Sequence, residues 1–259
     1  MATIDVRVPH IARVYDYWLG GRDNFAADRE LGERVQAIYP DVRDLARANR
    51  GFHARSIYYL AREKGIRQFL DIGVGLPTAN NTHEVAQRLS RDCRIVYVDN
   101  DPIVMSHARA LLKSAPGGAC DYLDGDLREP ERLLAGAART LDFSEPVALM
   151  MVAILHFVAD PEAASIVKTL VSRCATGSFA VISHLASDIE PVQVAEMARR
   201  VNERLPDTLT PRDKDGVTRL FGSLDLVDPG VVTAPHWRPH YPAEETVPAA
   251  LWAGVARKS

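Results

Sequence analysis

Cysteine is scarce in this 259-residue chain, which has only three, far apart and without a Cys-x-x-Cys pair: Cys93, Cys120 and Cys174. An odd number at this spacing argues against a disulfide framework and against a cysteine-ligated zinc site. The His83-Glu84 pair also lacks a partner histidine at metal-ligand spacing. We therefore expect reduced thiols, a cytoplasmic location and no metal.

Long apolar runs are missing as well. The longest covers residues 147–155, whereas a membrane-spanning helix needs roughly 20 apolar residues. Charged residues between Asp5 and Asp16 interrupt the apolar core that a signal peptide would need. A formal net charge of -3 gives no global electrostatic reason to expect nucleic acid or an anionic membrane as partner. We expect a small-molecule partner, no nucleic acid and no membrane.

The chain divides into two parts of different pattern. Residues 1–67 are rich in helical spacing, with predicted helices at 27–38 and 45–64. From residue 68 onward strands and helices alternate, which indicates βαβ units and a mostly parallel sheet. The expected organisation is an N-terminal helical lid, residues 1–67, on an α/β domain, residues 68–259.

Seven strands are expected in the α/β part. The last two lie close together in sequence and suit a terminal antiparallel edge. Helix starts are predicted near Asn81, which has the capping-box spacing with Glu84, and at Thr210-Pro211. The predicted strands are 68–72, 94–98, 120–123, 147–153, 178–183, 224–227 and 251–256.

The first predicted strand ends in an acidic residue and opens into a glycine loop, Asp71-Ile72-Gly73-Val-Gly75. Glycines let the backbone turn sharply and approach a ligand closely. A carboxylate beside the loop would oppose the pyrophosphate of a dinucleotide. Asp71 therefore suits a ligand that carries an amino group or a positive charge.

Two more carboxylates end the next strands. Asp99 lies 28 residues after Asp71, where a ribose-binding carboxylate stands in this architecture. Nicotinamide cofactors use the same position, so Asp99 alone does not choose between ligands. Asp126 would reach the base end of a nucleoside and could accept the adenine amine. Together the three carboxylates match an amine, a ribose and an adenine.

This set resembles the class I S-adenosylmethionine-dependent methyltransferases. Closer still, the chain resembles the actinobacterial S-adenosyl methyltransferase family that was once catalogued only as a domain of unknown function. That resemblance covers nearly the whole chain and is most specific in the N-terminal block. The matching segments are 15–28, 49–52, 68–78, 81–84, 96–99, 124–127, 154–158 and 252–257.

The resemblance implies a Rossmann-like class I methyltransferase fold. Its seven-stranded, mostly parallel sheet would have the order 3-2-1-4-5-7-6, with strand 7 antiparallel and an N-terminal helical lid. It also implies S-adenosylmethionine as cofactor and S-adenosylhomocysteine as product, but no acceptor. The residues expected to bind the cofactor are Asp71, Ile72, Gly73, Gly75, Asp99, Asn100, Asp126, Leu127, Val152 and Ala153, with Tyr15 and Arg22 from the lid.

The lid interpretation depends on aromatic residues beside Arg22, whose guanidinium could meet the cofactor's carboxylate while an aromatic ring covers the sulfonium. Those aromatics, Tyr15 among them, could instead dock the N-terminal helices. Asn49 and Arg50 invite a similar cofactor-binding interpretation, and a solvated helix end explains them almost as well.

Methyl transfer needs alignment, and a base only where the accepting atom carries a proton. His156 and His184 follow strands four and five and are the candidate bases, although each could simply cap a strand end or pack in a loop. The acceptor pocket is expected between the lid and residues 185–220.

We expect a methyltransferase acting on a small molecule. A first alternative is a non-catalytic module or sensor that binds S-adenosylmethionine or S-adenosylhomocysteine without turnover. A second is an NAD(P)-dependent oxidoreductase built on the same sheet, against which Asp71 and Asp126 argue.

Overall fold

An eight-stranded sheet forms the centre of the computed structural model, which describes residues 5–259 apart from the side chains at 243 and 246. Strands β1 to β5 pair in parallel in the order β3-β2-β1-β4-β5. Strand β8 joins β5 antiparallel, and β6 and β7 both pair with β8. The strands are β1 (Gln68–Ile72), β2 (Arg94–Asp99), β3 (Ala119–Asp124), β4 (Ala148–Val152), β5 (Phe179–Leu185), β6 (Asp225–Leu226), β7 (Val232–Thr233) and β8 (Leu251–Arg257).

The predicted fold class and strand order are confirmed, since β8 is the predicted seventh strand and runs antiparallel between β5 and β6. One strand was not predicted. Val232–Thr233 pairs with Ala253 and Trp252 of β8, between the predicted strands 224–227 and 251–256, where the sequence predicts none. Two residues are too short to show the period of two by which a strand is recognised in sequence.

Nine helices of the described chain cover the sheet. Alternate residues of each central strand face opposite sides: Phe69 of β1 belongs to one hydrophobic cluster, and Leu70 and Ile72 belong to the other. Both faces of the sheet are therefore buried, as a parallel sheet requires. The helices are α1 (Ile11–Leu19), α2 (Ala26–Ile38), α3 (Val42–Tyr58), α4 (Thr82–Leu89), α5 (Pro102–Leu111), α6 (Pro130–Ala137), α7 (Glu162–Ser172), α8 (Pro191–Asn202) and α9 (Lys214–Leu220).

The N-terminal helices pack into the same core as the sheet. Helix α3 continues through a π-helical turn, Tyr59–Glu63, so the predicted helix 45–64 is one helical segment that begins at Val42. Its Phe52 meets the fully buried ring of Trp237 edge-to-face, with ring centroids 5.4 Å apart. Phe52 also shares a hydrophobic cluster with Phe69 of β1. The division at residues 67 and 68 stays a prediction.

The two predicted helix starts have different outcomes. Helix α4 begins after Asn81, whose backbone N–H donates to Glu84 Oε2 at 2.9 Å. The start at Thr210-Pro211 is wrong, because α9 begins only at Lys214. There the carboxylate of Asp213 accepts the N–H of Gly216 at 2.7 Å. Arg212 instead forms a parallel bridge with Ala186, and its N–H donates to the carbonyl of Leu185 at 3.1 Å, so the chain after Pro211 pairs with the end of β5 and does not start a helix.

In residues 5–259 no helix has the length and hydropathy that crossing a membrane would require, and no cluster of His, Cys, Asp or Glu suits a metal ion. The three cysteines are free thiols, with Cys93 and Cys174 buried. Burial raises the pKa of each thiol to about 11. These thiols are therefore protonated at neutral pH.

Candidate functional site

A cleft with about 1060 Å³ of empty space, part of it open to solvent, lies where β1, β2 and β4 end. Helices α1 and α3 form its opposite wall. Every residue predicted to bind the cofactor lines this cleft except Arg22, which is exposed in the loop between α1 and α2. The lining residues among those predicted are Tyr15, Asp71, Ile72, Gly73, Gly75, Asp99, Asn100, Asp126, Leu127, Val152 and Ala153.

The glycine loop needs glycine for its backbone geometry. Gly73 and Gly75 have φ angles of +75° and +66°, in the left-handed region that side chains disfavour. A Cβ on Gly73 would stand 2.7 Å from the side chain of Ile154, whereas nothing lies within 4 Å of that position at Gly75. The loop is thus closed against β4 at Gly73 and open at Gly75.

Asp99 is held by backbone donors. Its Oδ2 accepts the N–H of Gly75 and its Oδ1 accepts the N–H of Asp101, each at 2.9 Å. The carboxyl group is 7% exposed, and this burial raises its pKa. Because each carboxylate oxygen has a further lone pair, Asp99 can still accept two ligand hydroxyls.

A second group of charges closes the end of the cleft near β3. Asp126 accepts the N–H of Arg128 at 2.8 Å. The guanidinium of Arg128 lies 3.3 Å from Asp126 Oδ2 and 3.0 Å from Asp207 Oδ1. Arg128 and Asp207, which the sequence interpretation missed, therefore connect β3 to the loop after α8.

The carboxylate of Asp71, near the end of β1, contacts side chains of α3 and α4. Its Oδ2 accepts the hydroxyl of Thr82 at 2.5 Å. The same hydroxyl lies 3.1 Å from His53 Nε2, which is also 3.5 Å from Asp71 Oδ2. All three side chains are buried, and burial lowers the pKa of His53. The imidazole is therefore neutral at pH 7.

A chain of hydrogen bonds fixes the α1 wall. The hydroxyl of Tyr15 donates to the carbonyl of Ala46 and accepts from Asn49 Nδ2, each at 3.0 Å. Asn49 Oδ1 accepts the hydroxyl of Ser183 at 2.6 Å, and that hydroxyl accepts the N–H of Ala153 at 2.9 Å. Tyr15 is thereby connected through α3 and β5 to the end of β4.

Arg50, and not Arg22, brings a guanidinium into the cleft. Its Nη2 donates to the carbonyls of Ala79 and Asn80, each at 3.1 Å. In the part of the chain that the structure describes, Arg50 forms no ion pair with a carboxylate within 4 Å. Its remaining donors are free to meet an anionic ligand group.

The two candidate bases lie away from the cleft. His156 is 7% exposed and accepts the N–H of Leu185 at Nδ1, at 3.3 Å. His184 is fully buried; its Nδ1 lies 2.9 Å from the carbonyl of Leu185, and its Nε2 faces Arg212. Burial, with Arg212 nearby, lowers the pKa of His184 to about 3. The geometry supports a structural role for both, since neither lines the cleft.

Sequence interpretation also missed His53 and Thr82. A helical signal was present, because His53 lies three residues after Arg50 and so shares its face of α3. Thr82 opens α4 directly after the capping residue Asn81. Its contact with Asp71 depends on how α4 packs on β1, which the sequence pattern does not show.

The sheet order and the carboxylates at the strand ends define a class I S-adenosylmethionine-dependent methyltransferase fold. Within this class, the chain belongs to the S-adenosyl methyltransferase family, whose model matches residues 1–259. The family assignment made from the sequence is thus confirmed, and with it the expected cofactor class.

Two solved structures resemble the chain over nearly its full length. A DUF574 family protein from Streptomyces avermitilis MA-4680 is 38% identical with a TM-score of 0.96, covering 99% of this chain and 100% of that one. A crystal structure from Thermobifida fusca YX is 40% identical with a TM-score of 0.91, covering 98% and 97%.

A more distant curated relative is a carboxy-S-adenosyl-L-methionine synthase from Trichlorobacter lovleyi, 25% identical over 170 residues. That match spans 64% of this chain and 65% of the relative.

Proposed function

We propose that the chain binds S-adenosylmethionine in this cleft and transfers its methyl group to a small-molecule acceptor, releasing S-adenosylhomocysteine. The observation that carries the proposal is the meeting of Asp71, Asp99 and Asp126 from three adjacent strand ends in one cleft. The cofactor supplies the methyl group as a sulfonium, so the protein's own residues need only bind, orient and exclude water.

Each part of the cofactor has a candidate partner. Asp99, held by two backbone N–H groups, would accept the ribose hydroxyls. Asp126 and the backbone at Leu127 would receive the adenine, and Asp71 the ammonium group. The open position at Gly75 leaves room for close approach. Arg50 takes the role proposed earlier for Arg22, as the partner of the methionine carboxylate.

The charge of the cleft supports a cationic ligand. Four carboxylates line it against two guanidiniums, those of Arg50 and Arg128. The carboxylates are those of Asp71, Asp99, Asp126 and Asp207. This excess of negative charge attracts a sulfonium and an ammonium, and it repels the pyrophosphate of NAD(P). An oxidoreductase is therefore the weaker hypothesis.

A second candidate function is a module that binds the cofactor without turnover. The burial of His156 and His184 away from the cleft favours it, because neither can take a proton from an acceptor there. The two functions are distinguished by incubating the protein with S-adenosylmethionine and a broad acceptor panel. Formation of S-adenosylhomocysteine supports transfer, and tight binding without it supports the module.

The binding site itself is tested by calorimetry with S-adenosylmethionine. We expect Asp99→Ala to weaken binding about tenfold or more, because it removes a charge-assisted hydrogen bond. Asp124→Ala is the matched control, since Asp124 ends β3 at the same sheet edge but is exposed and outside the cleft lining. Equal affinity of both variants and wild type would exclude this site, and binding of NADH in place of S-adenosylmethionine would favour the oxidoreductase.

A further inference from the structure

His53 has a buried imidazole with one nitrogen paired and one unpaired. The side chain is 3% exposed on α3 and lines the cleft. Its Nε2 lies 3.1 Å from the hydroxyl of Thr82, which in turn bonds to Asp71. Its Nδ1 is buried without a hydrogen-bond partner in the protein. Because leaving a buried polar atom unpaired is costly, an unpaired nitrogen on a side chain that lines a cleft is a candidate contact for a bound ligand.

The hydrogen bonds that join Asp71, Thr82 and His53 determine the tautomer of His53. An ionised Asp71 can only accept, so the hydroxyl of Thr82 donates its single proton to Oδ2. That hydroxyl can then only accept from His53, which places the imidazole proton on Nε2. The carboxylate at 3.5 Å favours the same tautomer. Nδ1 is left as a lone-pair acceptor and calls for a donor.

The neighbourhood shows which donor fits. Arg50, one helical turn before His53 on α3, also lines the cleft and has no carboxylate partner in the described chain. One helix face therefore presents a cation and a neutral acceptor, and the carboxylate of Asp71 lies 3.5 Å from the other nitrogen of the same imidazole. An α-amino acid carries the complementary groups, a carboxylate for Arg50 and an ammonium with three N–H donors.

We propose that His53 is a ligand-specificity residue, whose Nδ1 accepts a hydrogen bond from the ammonium group at the amino-acid end of the bound cofactor. The inference rests on the proposed function. The site then selects adenosine thioethers and sulfoniums that retain the α-amino acid over those that lack it, because only the former pair the buried nitrogen.

Calorimetry with two matched ligands tests this selectivity. S-adenosylhomocysteine retains the amino acid and 5′-methylthioadenosine lacks it, while both carry the same nucleoside. His53→Gln keeps an N–H donor toward Thr82 and removes the Nδ1 acceptor. We expect this variant to lower the affinity for S-adenosylhomocysteine about tenfold, as for a hydrogen bond to a charged group, and to leave that for 5′-methylthioadenosine within about twofold.

His83→Gln is the control for replacing a buried histidine, since His83 is 6% exposed and does not line the cleft. It should leave the affinity ratio of the two ligands unchanged. An equal loss for both ligands in His53→Gln, or no loss for either, would overturn the specificity role while leaving the proposed function intact. Failure of wild type to bind either ligand would instead count against the proposed function.

Nitrogen NMR of the wild-type protein gives a readout that does not depend on the variant's folding. With ¹⁵N-labelled histidine, His53 should show a protonated Nε2 and an unprotonated Nδ1. The Nδ1 signal should move when S-adenosylhomocysteine binds and stay in place with 5′-methylthioadenosine. A protonated Nδ1 in the free protein, or the same shift with both ligands, would refute the proposal.

Discussion

Burial lowers the pKa of the four histidines that are buried in residues 5–259: His53, His83, His156 and His184. For His184 the pKa falls from an ordinary 6.5 to about 3. At pH values below about 6.5, where the unfolded chain takes up protons at its histidines, the folded protein therefore binds fewer protons at these four sites. The contribution of these four sites to stability therefore decreases as the pH falls below about 6.5.

His184→Gln tests this linkage. We expect the slope of unfolding free energy against pH, between pH 7 and 5, to be smaller in the variant than in wild type by up to about 1.4 kcal/mol per pH unit. Urea unfolding at several pH values measures the slope, which separates the proton effect from any constant loss of packing. His240→Gln, at an exposed position, should keep the wild-type slope. A His184→Gln slope equal to wild type would show that this imidazole titrates normally.

Arg212 has a different role at the residue scale, because it joins the loop after β4 to the segment before α9. Its guanidinium is 5% exposed and donates to the carbonyls of Leu155 at 3.0 Å and Val158 at 2.7 Å. It also lies 3.1 Å from Asp160. Replacement by an apolar residue would leave those buried carbonyls without donors.

We expect Arg212→Met to lower the free energy of unfolding by about 3 kcal/mol or more, through the unpaired carbonyls. Arg219→Met, at an exposed position of α9, should change it by less than about 0.5 kcal/mol. Urea unfolding at fixed pH measures both. If Arg212→Met lowered the free energy of unfolding as little as Arg219→Met, water would have to bond to the carbonyls in place of the guanidinium.

Among the helices, α9 shows where a local sequence signal failed. Thr210-Pro211 matched a cap with a first-turn proline, yet the helix starts at Lys214 with Asp213 as its cap. We expect Asp213→Ala to cost about 1 kcal/mol of stability, as for other N-caps. Thr210→Ala should cost little, because the structure gives the Thr210 side chain no capping bond. Thermal unfolding of the two variants compares them; a larger loss in Thr210→Ala would restore the sequence-based start.

The strands were predictable because burial on both faces gives apolar runs between turn residues, as in 147–153 for β4. The carboxylates were predictable because strand ends in a parallel sheet meet at one edge, which brought Asp71, Asp99 and Asp126 together. Across the cleft, the sequence offered Tyr15 and Arg50 as candidates. It did not offer His53, which reaches the cleft only through the packing of α3, or Asp207, which reaches it only through the loop after α8.

At the scale of the whole molecule, α3 connects the N-terminal helices to the segment that precedes β8. Arg55 of α3 donates to the carbonyls of Trp237 at 3.0 Å and Ala234 at 2.6 Å. The ring of Trp237 packs edge-to-face on Phe52 and Tyr59. These contacts are buried and lie in the cluster that also covers β1 and β5. A lid that opened as a separate body would have to break these contacts, which argues that α3 belongs to the core beneath the sheet.

A chain restricted to residues 68–259 tests whether the predicted lid is a separable unit. Its removal would uncover Phe69, Val181 and Trp237, all fully buried in the intact protein. We expect the shortened chain to lose the cooperative unfolding transition and the near-ultraviolet circular dichroism of the full chain, measured side by side in urea, because a core opened on one face cannot offset its conformational entropy. A cooperative transition in the shortened chain would establish residues 1–67 as a separate domain, and α3 would then be an accessory of the fold.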